Sequence, residues 1–405
     1  HGQAHRRGRH PGVGGVTGPD RLGGLSAADR TAACLVALSY LPGLGPATVR
    51  RCHLEHGAEE SWFDLVAGRP DRIVPVTDLA ARGRSDLPAH LSAEARRRDP
   101  VADLGRQAVD GRRVHVLGAR GYPDRLVADP MAPAVLFSEG HLAALHGPTV
   151  AVVGTRNATL AGRQLAEELG EGLAAAGVAV ISGLALGIDG AAHRGALRSE
   201  APRSVAVIAS GLDVVYPRRH AHLHAELASR GLLVSETPAG IRPDAWRFPA
   251  RNRIIAGLAD SVVVVESRVA GGSLHTVDEA LARDVPVLAV PGHPSAPASA
   301  GTNALIYDGA GLVRDTADVL LAIGVTPPPV PRRQDPGPAL PDLGPAERAV
   351  LDALGSTPSS LAELVAATGR TVGEVSHALA RLAAANHVRE AQGWYEAVGA
   401  RTAAR

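Results

Sequence analysis

The sequence predicts an α/β protein built around a doubly wound, mostly parallel sheet. From about Arg113 onward, short apolar runs alternate with stretches of helical character. Apolar strands separated by helices favour a parallel sheet that is covered on both faces. The predicted strands are Val114–Leu117, Val150–Val153, Val178–Ile181, Val205–Ala209, Leu232–Ser235, Val262–Val265 and Val287–Val290.

A helical region is predicted before the sheet, over residues 28–105. Within it, LPGLGPATVRRCHL (Leu41–Leu54) has the pattern of a helix-hairpin-helix. Gly43 and Gly45 would permit a tight turn whose backbone N–H groups can hold a phosphate. An ordinary corner between two helices fits the same residues, and we favour that interpretation over DNA contact. Residues 1–27 are basic and glycine-rich without an apolar segment, which predicts a disordered tail rather than a secretory signal.

The C-terminal part of the chain begins with a proline-rich linker, predicted over 326–343. Beyond it, residues 344–398 are predicted to form a winged helix, because capping boxes at Ser360 and Thr371 mark two helix starts. The third helix is poor in arginine, which disfavours a regulator that reads duplex DNA. Docking of a protein or a structural role is at least as well supported. The strands of a closing β-hairpin are predicted at His387–Glu390 and Trp394–Ala397.

Composition narrows the classes of function. The 405 residues suggest about two to four domains, and the formal net charge of +1 means that a nucleic-acid surface must be a local patch. The sequence contains no lysine, which excludes a lysine Schiff base and a Walker A loop.

Cys34 and Cys52 form no CxxC pair, so we expect no disulfide and no structural zinc, and a reducing cytoplasm fits. No apolar run approaches the ~20 residues that span a membrane.

The loops after the predicted strands carry the unusual motifs, and ligands bind at that edge of a doubly wound sheet. A dinucleotide site is disfavoured, because Gly154 stands alone without GxGxxG and Ser182 occupies the place of the acidic ribose-binding residue. In the loop Gly183–His193, we expect Asp189 to cap the following helix, which would contribute about 1 kcal/mol. We expect His193 to make a structural hydrogen bond.

A glycine turn into a helix, AGGSLHTVDEA (Ala270–Ala280), leaves an alternative function open. Ser273 and Thr276 stand where they could hold a phosphate. The segment is similar to the phosphate loop of nucleoside-monophosphate phosphoribohydrolases, so a nucleotide N-glycosidic hydrolase is the alternative. Leu274 and His275 depart from that pattern where a nucleotide would sit.

The segment RRHAHLH places His220 and His224 where they could share a helix face and bind a metal ion. Glu226 is the only carboxylate nearby in the sequence, so a solvated helix is favoured and no metal is expected.

The segment RFPARNRII (Arg247–Ile255) interleaves arginine with aromatic residues. Its arginines flank Phe248, and Trp246 comes directly before them. Guanidinium groups hold phosphates bidentately and stack on bases. A solvated helix face fits the same composition, but the segment falls at the binding edge of the predicted sheet. Together with GTRN (Gly154–Asn157), it suits a polyanion with exposed bases better than a small metabolite.

These motifs together resemble the DNA-processing protein A family, also called DprA or Smf. The likeness is strong over about residues 110–315 and weaker on either side. It implies a Rossmann-like domain, over 106–325, that forms a homodimer and binds single-stranded DNA. It also implies loading of the RecA recombinase in natural transformation or related recombination, with no catalysis and no cofactor. The likeness is carried by GTRNAT (Gly154–Thr159), ISGLALGIDGAAH (Ile181–His193), ASGLDVVYP (Ala209–Pro217), GLLVSETPAG (Gly231–Gly240), FPARNRIIAGL (Phe248–Leu258) and VPGHPSAPASAGTNALIYDGA (Val290–Ala310).

The resemblance also implies which residues contact DNA. The arginine of the family's GSR motif falls on Arg156, and those of its RNRII motif fall on Arg251 and Arg253. Leu186 stands where many members carry a basic residue, and His220 where asparagine is usual. The residues expected to bind single-stranded DNA are Gly154, Thr155, Arg156, Asn157, Ser182, Gly183, Gly187, Gly211, Tyr216, Pro217, Arg218, Arg247, Phe248, Arg251, Asn252, Arg253, Gly271, Gly272, Ser273 and Thr276.

Overall fold

The structure is a computed structural model that describes residues 19–109, 111–201, 203–327, 343–354, 358–385, 387–391 and 393–397. The chain divides into two compact units, with the boundary between residues 328 and 329. The predicted linker therefore falls at this boundary, and most of it lies outside the described residues.

The first unit opens with a helical region. The disorder predicted over 1–27 is wrong at its end, because Pro19–Gly24 form a 3-10 helix and the Ser26 side chain accepts a hydrogen bond from Asp29 N at 3.2 Å. Residues 1–18 lie outside the described part. The helices of this region are α1 (Ala27–Ser39), α2 (Pro46–Arg51), α3 (Ala58–Val66), α4 (Val74–Ala81), α5 (Leu87–Ala95) and α6 (Pro100–Gln107).

The predicted turn of the helix-hairpin-helix joins α1 to α2. Gly43 has φ +90°, a left-handed conformation that favours glycine. After α2 the chain continues as one turn of π-helix at Cys52–His56. Helix α1 is the centre of the region, because every residue from Ala32 to Leu38 is buried.

A nine-stranded sheet follows, and it confirms the predicted doubly wound, mostly parallel α/β fold. Its order is β1-β2-β6-β5-β4-β3-β7-β8-β9, and β2 is antiparallel to both of its neighbours while the other pairs are parallel. Each predicted strand is present within about two residues of its expected bounds. The strands are β1 (Arg113–Val116), β2 (Val135–Gly140), β3 (Thr149–Val153), β4 (Ala179–Ser182), β5 (Ser204–Val207), β6 (Leu232–Ser235), β7 (Ser261–Val264), β8 (Val287–Ala289) and β9 (Gly311–Leu312).

Helices cover both faces of this sheet. One face packs mainly against α11 and α12, and the other against α8 and α9 and the helical region. The helices are α7 (Asp124–Val127), α8 (Leu160–Ala175), α9 (Ile188–Leu197), α10 (Ala221–Arg230), α11 (Arg247–Leu258), α12 (Leu274–Leu281), α13 (Ala300–Tyr307) and α14 (Thr316–Ala322).

The strand order creates a switch point between β3 and β7. The chain passes from β3 through β4 and β5 to β6 on one side, then continues with β7, β8 and β9 on the other. The loops at the carboxyl ends of β3 and β7 therefore diverge and leave a crevice, which is where open α/β sheets bind their ligands.

The second unit has the predicted winged-helix architecture. Ser360 Oγ and Thr371 Oγ1 each accept a backbone N–H three residues on, and both predicted capping boxes are complete. Among the helices of the described residues, none combines the length and the apolar character that a membrane span requires. The elements of this unit are α15 (Pro345–Ala353), β10 (Ser359–Ser360), α16 (Leu361–Thr368), α17 (Val372–Ala384), β11 (Val388–Ala391) and β12 (Trp394–Ala397).

Candidate functional site

A cleft of about 540 Å³ opens at the switch point. One wall is the loop that follows β3, a second is the first part of α11, and a third is the start of α12. We call it the switch-point cleft. Of the residues predicted to bind DNA, it gathers Gly154, Thr155, Arg156, Phe248, Arg251, Asn252, Gly272, Ser273 and Thr276.

Arg156 and two aromatic rings separate this cleft from a smaller one. The Arg156 guanidinium carbon lies 5.1 Å from the centre of the Phe248 ring, and the rings of Phe248 and Tyr216 are 5.6 Å apart at 49°. On the far side is a hollow of about 110 Å³, the side hollow, which Tyr216, Pro217 and Gly183 line. Arg156 is exposed and Tyr216 is 45% exposed, so one cation and two rings are presented between the two cavities.

Arg251 lies beneath the cleft and is only 6% exposed. Its Nη1 donates to the carbonyl of Gly183 at 2.7 Å and to the carbonyl of Val207, and its Nε donates to Asn252 Oδ1 at 3.3 Å. Burial lowers the pKa of Arg251 to about 10. The side chain thus ties α11 to the ends of β4 and β5, and it forms part of the cleft floor.

Asp189 does not cap α9 as predicted. Gly187 is the N-cap residue and Asp189 lies one residue inside the helix. Its Oδ2 accepts hydrogen bonds from the backbone N–H groups of Gly183 at 3.1 Å and Ala185 at 3.3 Å. Burial raises the pKa of the Asp189 carboxyl, and the positive charge of Arg251 opposes that rise. Asp189 therefore fixes the loop after β4 against the floor of the cleft.

The residues 183–187 turn sharply to reach α9. Gly187 has φ +82°, and a Cβ placed on it would lie 2.3 Å from the carbonyl oxygen of Thr155. The absence of a side chain at Gly187 thus permits the loop after β3 to approach α9 closely, and Ile188 N donates to Thr155 O at 3.3 Å. Gly187 packs against the backbone of the loop after β3 and does not itself line the cleft.

Arg253 is on the other side of α11, away from the cleft. Its Nη2 lies 2.6 Å from Glu236 Oε2, and the two side chains are 9% and 7% exposed. Burial raises the pKa of Glu236, while Arg253 acts in the opposite direction. The pair anchors α11 to the loop after β6.

Comparison with known proteins identifies the family to which the chain belongs. Residues 113–324, just over half of the chain, match the model of the family described as DNA recombination-mediator protein A. The chain belongs to this family. Residues 334–393 match the DprA winged helix domain. A family of recombination mediators agrees with the prediction that the chain is not an enzyme, and it goes against the alternative of a nucleotide hydrolase.

Individual relatives support the same assignment. Protein Smf of Escherichia coli is 45% identical over 200 residues, which are 49% of this chain and 53% of that protein. DNA processing protein DprA of Bacillus subtilis is 37% identical over 204 residues, 50% of this chain and 68% of that protein. The chain thus spans about half the length of the first relative. The X-ray structure of DprA from Streptococcus pneumoniae superposes with a TM-score of 0.60 at 32% identity, over 71% of this chain and 97% of that one.

The structure does not bring every predicted site residue of this family member to the two cavities. Asn157 is exposed beside them, and Arg218 is exposed in a separate 3-10 turn. Ser182 Oγ donates to Val152 O at 2.6 Å inside the sheet. The predicted residues that line neither cavity are Asn157, Ser182, Gly187, Gly211, Arg218, Arg247, Arg253 and Gly271.

Sequence reasoning missed several residues that line the cavities. His275 and Ala245 line the switch-point cleft, and Ser210 and Pro243 line the side hollow. Each of them lies after the end of a strand and no later than the first turn of the next helix, so its place at the carboxyl edge of the sheet was the available signal. Leu186, noted for its departure from a basic residue, also lines the side hollow.

Three histidines that the sequence analysis singled out, His193, His220 and His224, are buried. The hydrogen bond predicted for His193 is present, since its Nδ1 lies 2.8 Å from Ser204 Oγ, and burial lowers the pKa of His193 to about 3. The solvated helix predicted for His220 and His224 is wrong, because both are buried and the Nδ1 of His220 lies 3.1 Å from Leu184 O. In the part of the chain that the structure describes, no group of histidine, cysteine or acidic residues is arranged to hold a metal ion.

Proposed function

We propose that this chain binds single-stranded DNA in the switch-point cleft and acts as a recombination mediator. The observation that carries the proposal is the position of Arg156 over Phe248, beside Tyr216, between two cavities. A single strand offers phosphates to a cation and unstacked bases to aromatic faces, and such sites combine both. The buried pair of Asp189 and Arg251 contributes little net charge, which leaves Arg156 as the exposed cation of the cleft lining.

Single strands suit this site better than duplex DNA. The Phe248 ring lies at the boundary of two concave cavities, which flat unpaired bases can enter. On α17 of the winged helix, the Arg381 side chain lies 3.0 Å from the buried carboxylate of Glu347. This pairing competes with contacts from Arg381 to base edges in a major groove, so it disfavours duplex reading by this helix.

The proposal extends to the partners that the family resemblance implies. We infer that the bound strand is handed to the RecA recombinase, during natural transformation or related recombination, which would place the chain in the cytoplasm. We also infer a homodimer formed through the first unit. The end of the sheet at β9 supports this, because Tyr307 is 91%, Leu312 47% and Leu321 65% exposed there.

A gel-shift titration tests the DNA proposal. Oligo-dT and a duplex of equal length are titrated with the full chain at several salt concentrations. We expect preferential binding of the single strand, with an affinity that falls as salt rises because counterions are released. Equal affinity for the duplex, or an affinity independent of salt, would contradict the proposal. Adding RecA and following its assembly on the same oligonucleotide then tests the handover.

A further inference from the structure

A third cavity, of about 560 Å³, lies in the first unit between the α1–α2 turn and the start of α11. We call it the hairpin groove. The turn residues Leu41–Pro46 form one side of it, and Trp246 and Arg247 form the other. Arg84, from the segment after α4, stands at its rim. Neither the predicted site residues nor the proposed function accounts for this groove as a whole.

The groove presents two cations and one exposed ring. The guanidinium of Arg247 lies 4.4 Å from the centre of the Trp246 ring, and Trp246 is 46% exposed. Arg84 is exposed, and its Nη1 donates to the carbonyl of Gly43 at 3.4 Å, a long bond that leaves most of its donors available. The carboxylate among the lining residues is Glu236, which is already paired with Arg253. The polar part of the lining therefore favours an anion.

The hairpin groove and the switch-point cleft share one turn of the chain. Ala245 lines the cleft, Trp246 and Arg247 line the groove, and Phe248 lines the cleft again. The two cavities therefore lie on either side of the first turn of α11. A polymer that leaves the cleft over this turn meets Trp246 next, and beyond it the groove.

We propose that the hairpin groove receives the continuation of the single strand held in the switch-point cleft. A base stacks on Trp246, and the neighbouring phosphates lie near Arg247 and Arg84. This inference rests on the proposed function, because it extends the path of the same ligand. Alternation of a guanidinium with an aromatic face is the pattern of the cleft itself, where Arg156 lies over Phe248. An apolar peptide would offer no anion to either arginine of the groove.

Length dependence of binding tests the path. Oligo-dT from about 4 to about 16 nucleotides, the range that single-strand sites cover, is titrated with the full chain. The variants are Trp246→Ala and Arg84→Ala. Arg82→Ala is the matched control, because Arg82 is also exposed, lies two residues from Arg84 and does not line the groove. We expect the two groove variants to bind the shortest oligonucleotides as the parent does, and the longest at least about fivefold more weakly.

Two further measurements secure the result. Trp246→Phe keeps an aromatic face and should restore most of the affinity for long oligonucleotides. Long oligonucleotides should also quench a tryptophan signal that Trp246→Phe removes, whereas short ones should not. If both groove variants bind oligonucleotides of every length as the parent does, while Arg156→Ala binds all of them more weakly, the proposed role of the groove is contradicted. The proposed role of the cleft is not. A parent chain that fails to bind oligo-dT of any length would instead overturn the proposed function.

Discussion

The guanidinium of Arg156 lies over the ring of Phe248, 5.1 Å from its centre. The two residues come from opposite walls of the switch point: Arg156 follows β3, and Phe248 is in the first turn of α11. Both side chains line the switch-point cleft and the side hollow, so their contact lies where the two cavities meet. A ligand that engages both must carry an anion and a flat group a short distance apart.

Arg156→Ala should weaken the binding of single-stranded DNA by roughly 1–3 kcal/mol, the cost of a lost charged hydrogen bond. It should also flatten the dependence of log affinity on log salt by somewhat under one unit, since one phosphate contact is removed. Both quantities come from fluorescence-anisotropy titrations of oligo-dT.

Arg230→Ala is the control for Arg156→Ala. It removes the same charge from the last turn of α10, next to the amino end of β6 and so at the opposite edge of the sheet, where Arg230 pairs with Glu226. Exposed pairs of this kind contribute little to stability. Equal affinity of the parent and Arg156→Ala, with an intact fold, would show that Arg156 does not contact DNA.

Removal of Arg251 should affect the fold as well as binding. Arg251→Ala leaves the carbonyls of Gly183 and Val207 without their donor and removes the charge that faces Asp189. We expect the free energy of unfolding to fall by about 3 kcal/mol or more, as measured by urea denaturation. Arg156→Ala should leave it nearly unchanged.

The double variant Arg251→Ala with Arg253→Ala should lose tight binding to single strands of any sequence. If it remains folded and binds poly-dT as the parent does, neither arginine acts on DNA, directly or through the cleft floor. If binding is lost only together with the folded state, the two residues act by stabilising the fold.

Gly187→Ala should destabilise the protein and weaken DNA binding together. The substitution places a Cβ at 2.3 Å from Thr155 O, at a residue whose φ is +82°. Strain of this kind costs about 1–3 kcal/mol, and relieving it displaces the loop that carries Arg156. Gly105→Ala is the control, because no atom lies within 4 Å of its Cβ position and Gly105 lines neither cavity. Equal melting temperatures for the two variants would contradict the expected strain.

The fold was largely predictable because its central strands are short and almost entirely apolar. VAVV and VVVV are buried on both faces, so their composition alone indicates strands of a covered parallel sheet. Strand β2 was missed because VLFSEG ends in polar residues and runs antiparallel between β1 and β6. Strand β9 has two residues, too few for a periodic pattern.

The location of the candidate site could be predicted from the sequence. Which of its arginine side chains are exposed and which are buried could not. Because Arg156 follows a predicted strand, the sequence places it at the carboxyl edge of the sheet, and in the structure it lines the cleft at that edge. The charges of Arg251 and Arg253 suggested exposure, yet α11 is buried on nearly all sides from Arg251 to Ala256. Glu236, the partner of Arg253, lies 17 residues before Arg253 in the sequence. The groups that accept hydrogen bonds from Arg251 Nη1 are backbone carbonyls. Neither contact could therefore be predicted from a local sequence pattern.

A chain that ends near Val325 should keep dimerisation and most of its affinity for single strands. The second unit has its own core, and Arg381 of its third helix is held by Glu347. Size-exclusion chromatography and a binding titration of the shortened chain check this. A collapse to monomer, or a loss of affinity beyond about tenfold (about 1.4 kcal/mol), would show that the winged helix belongs to the binding core.

Stability should rise with pH in the acidic range because of His193. Burial, with the charges of His220 and Arg251 adding to it, lowers the pKa of His193 to about 3, whereas an unfolded histidine titrates near ~6.5. As pH falls from about 6.5 to about 3, the unfolded chain takes up the proton first, so the free energy of unfolding declines. His193→Asn should make this decline shallower in urea titrations at successive pH values. An identical slope in the parent and the variant would contradict the role of His193.

The hydrophobic core that supports the cleft reaches beyond the residues that match the family model. Leu184, in the loop that lines the side hollow, belongs to the same core as Leu35 and Leu38 of α1, together with Leu233 of β6. A protein that began at Arg113 would contain every cavity-lining residue of the cleft and the hollow, yet it would expose this shared apolar surface to water. Deletion mapping of the proposed DNA site therefore has to cut at 328 and not at 113, because removing the helices in front of the sheet would uncover the core beneath the cavities.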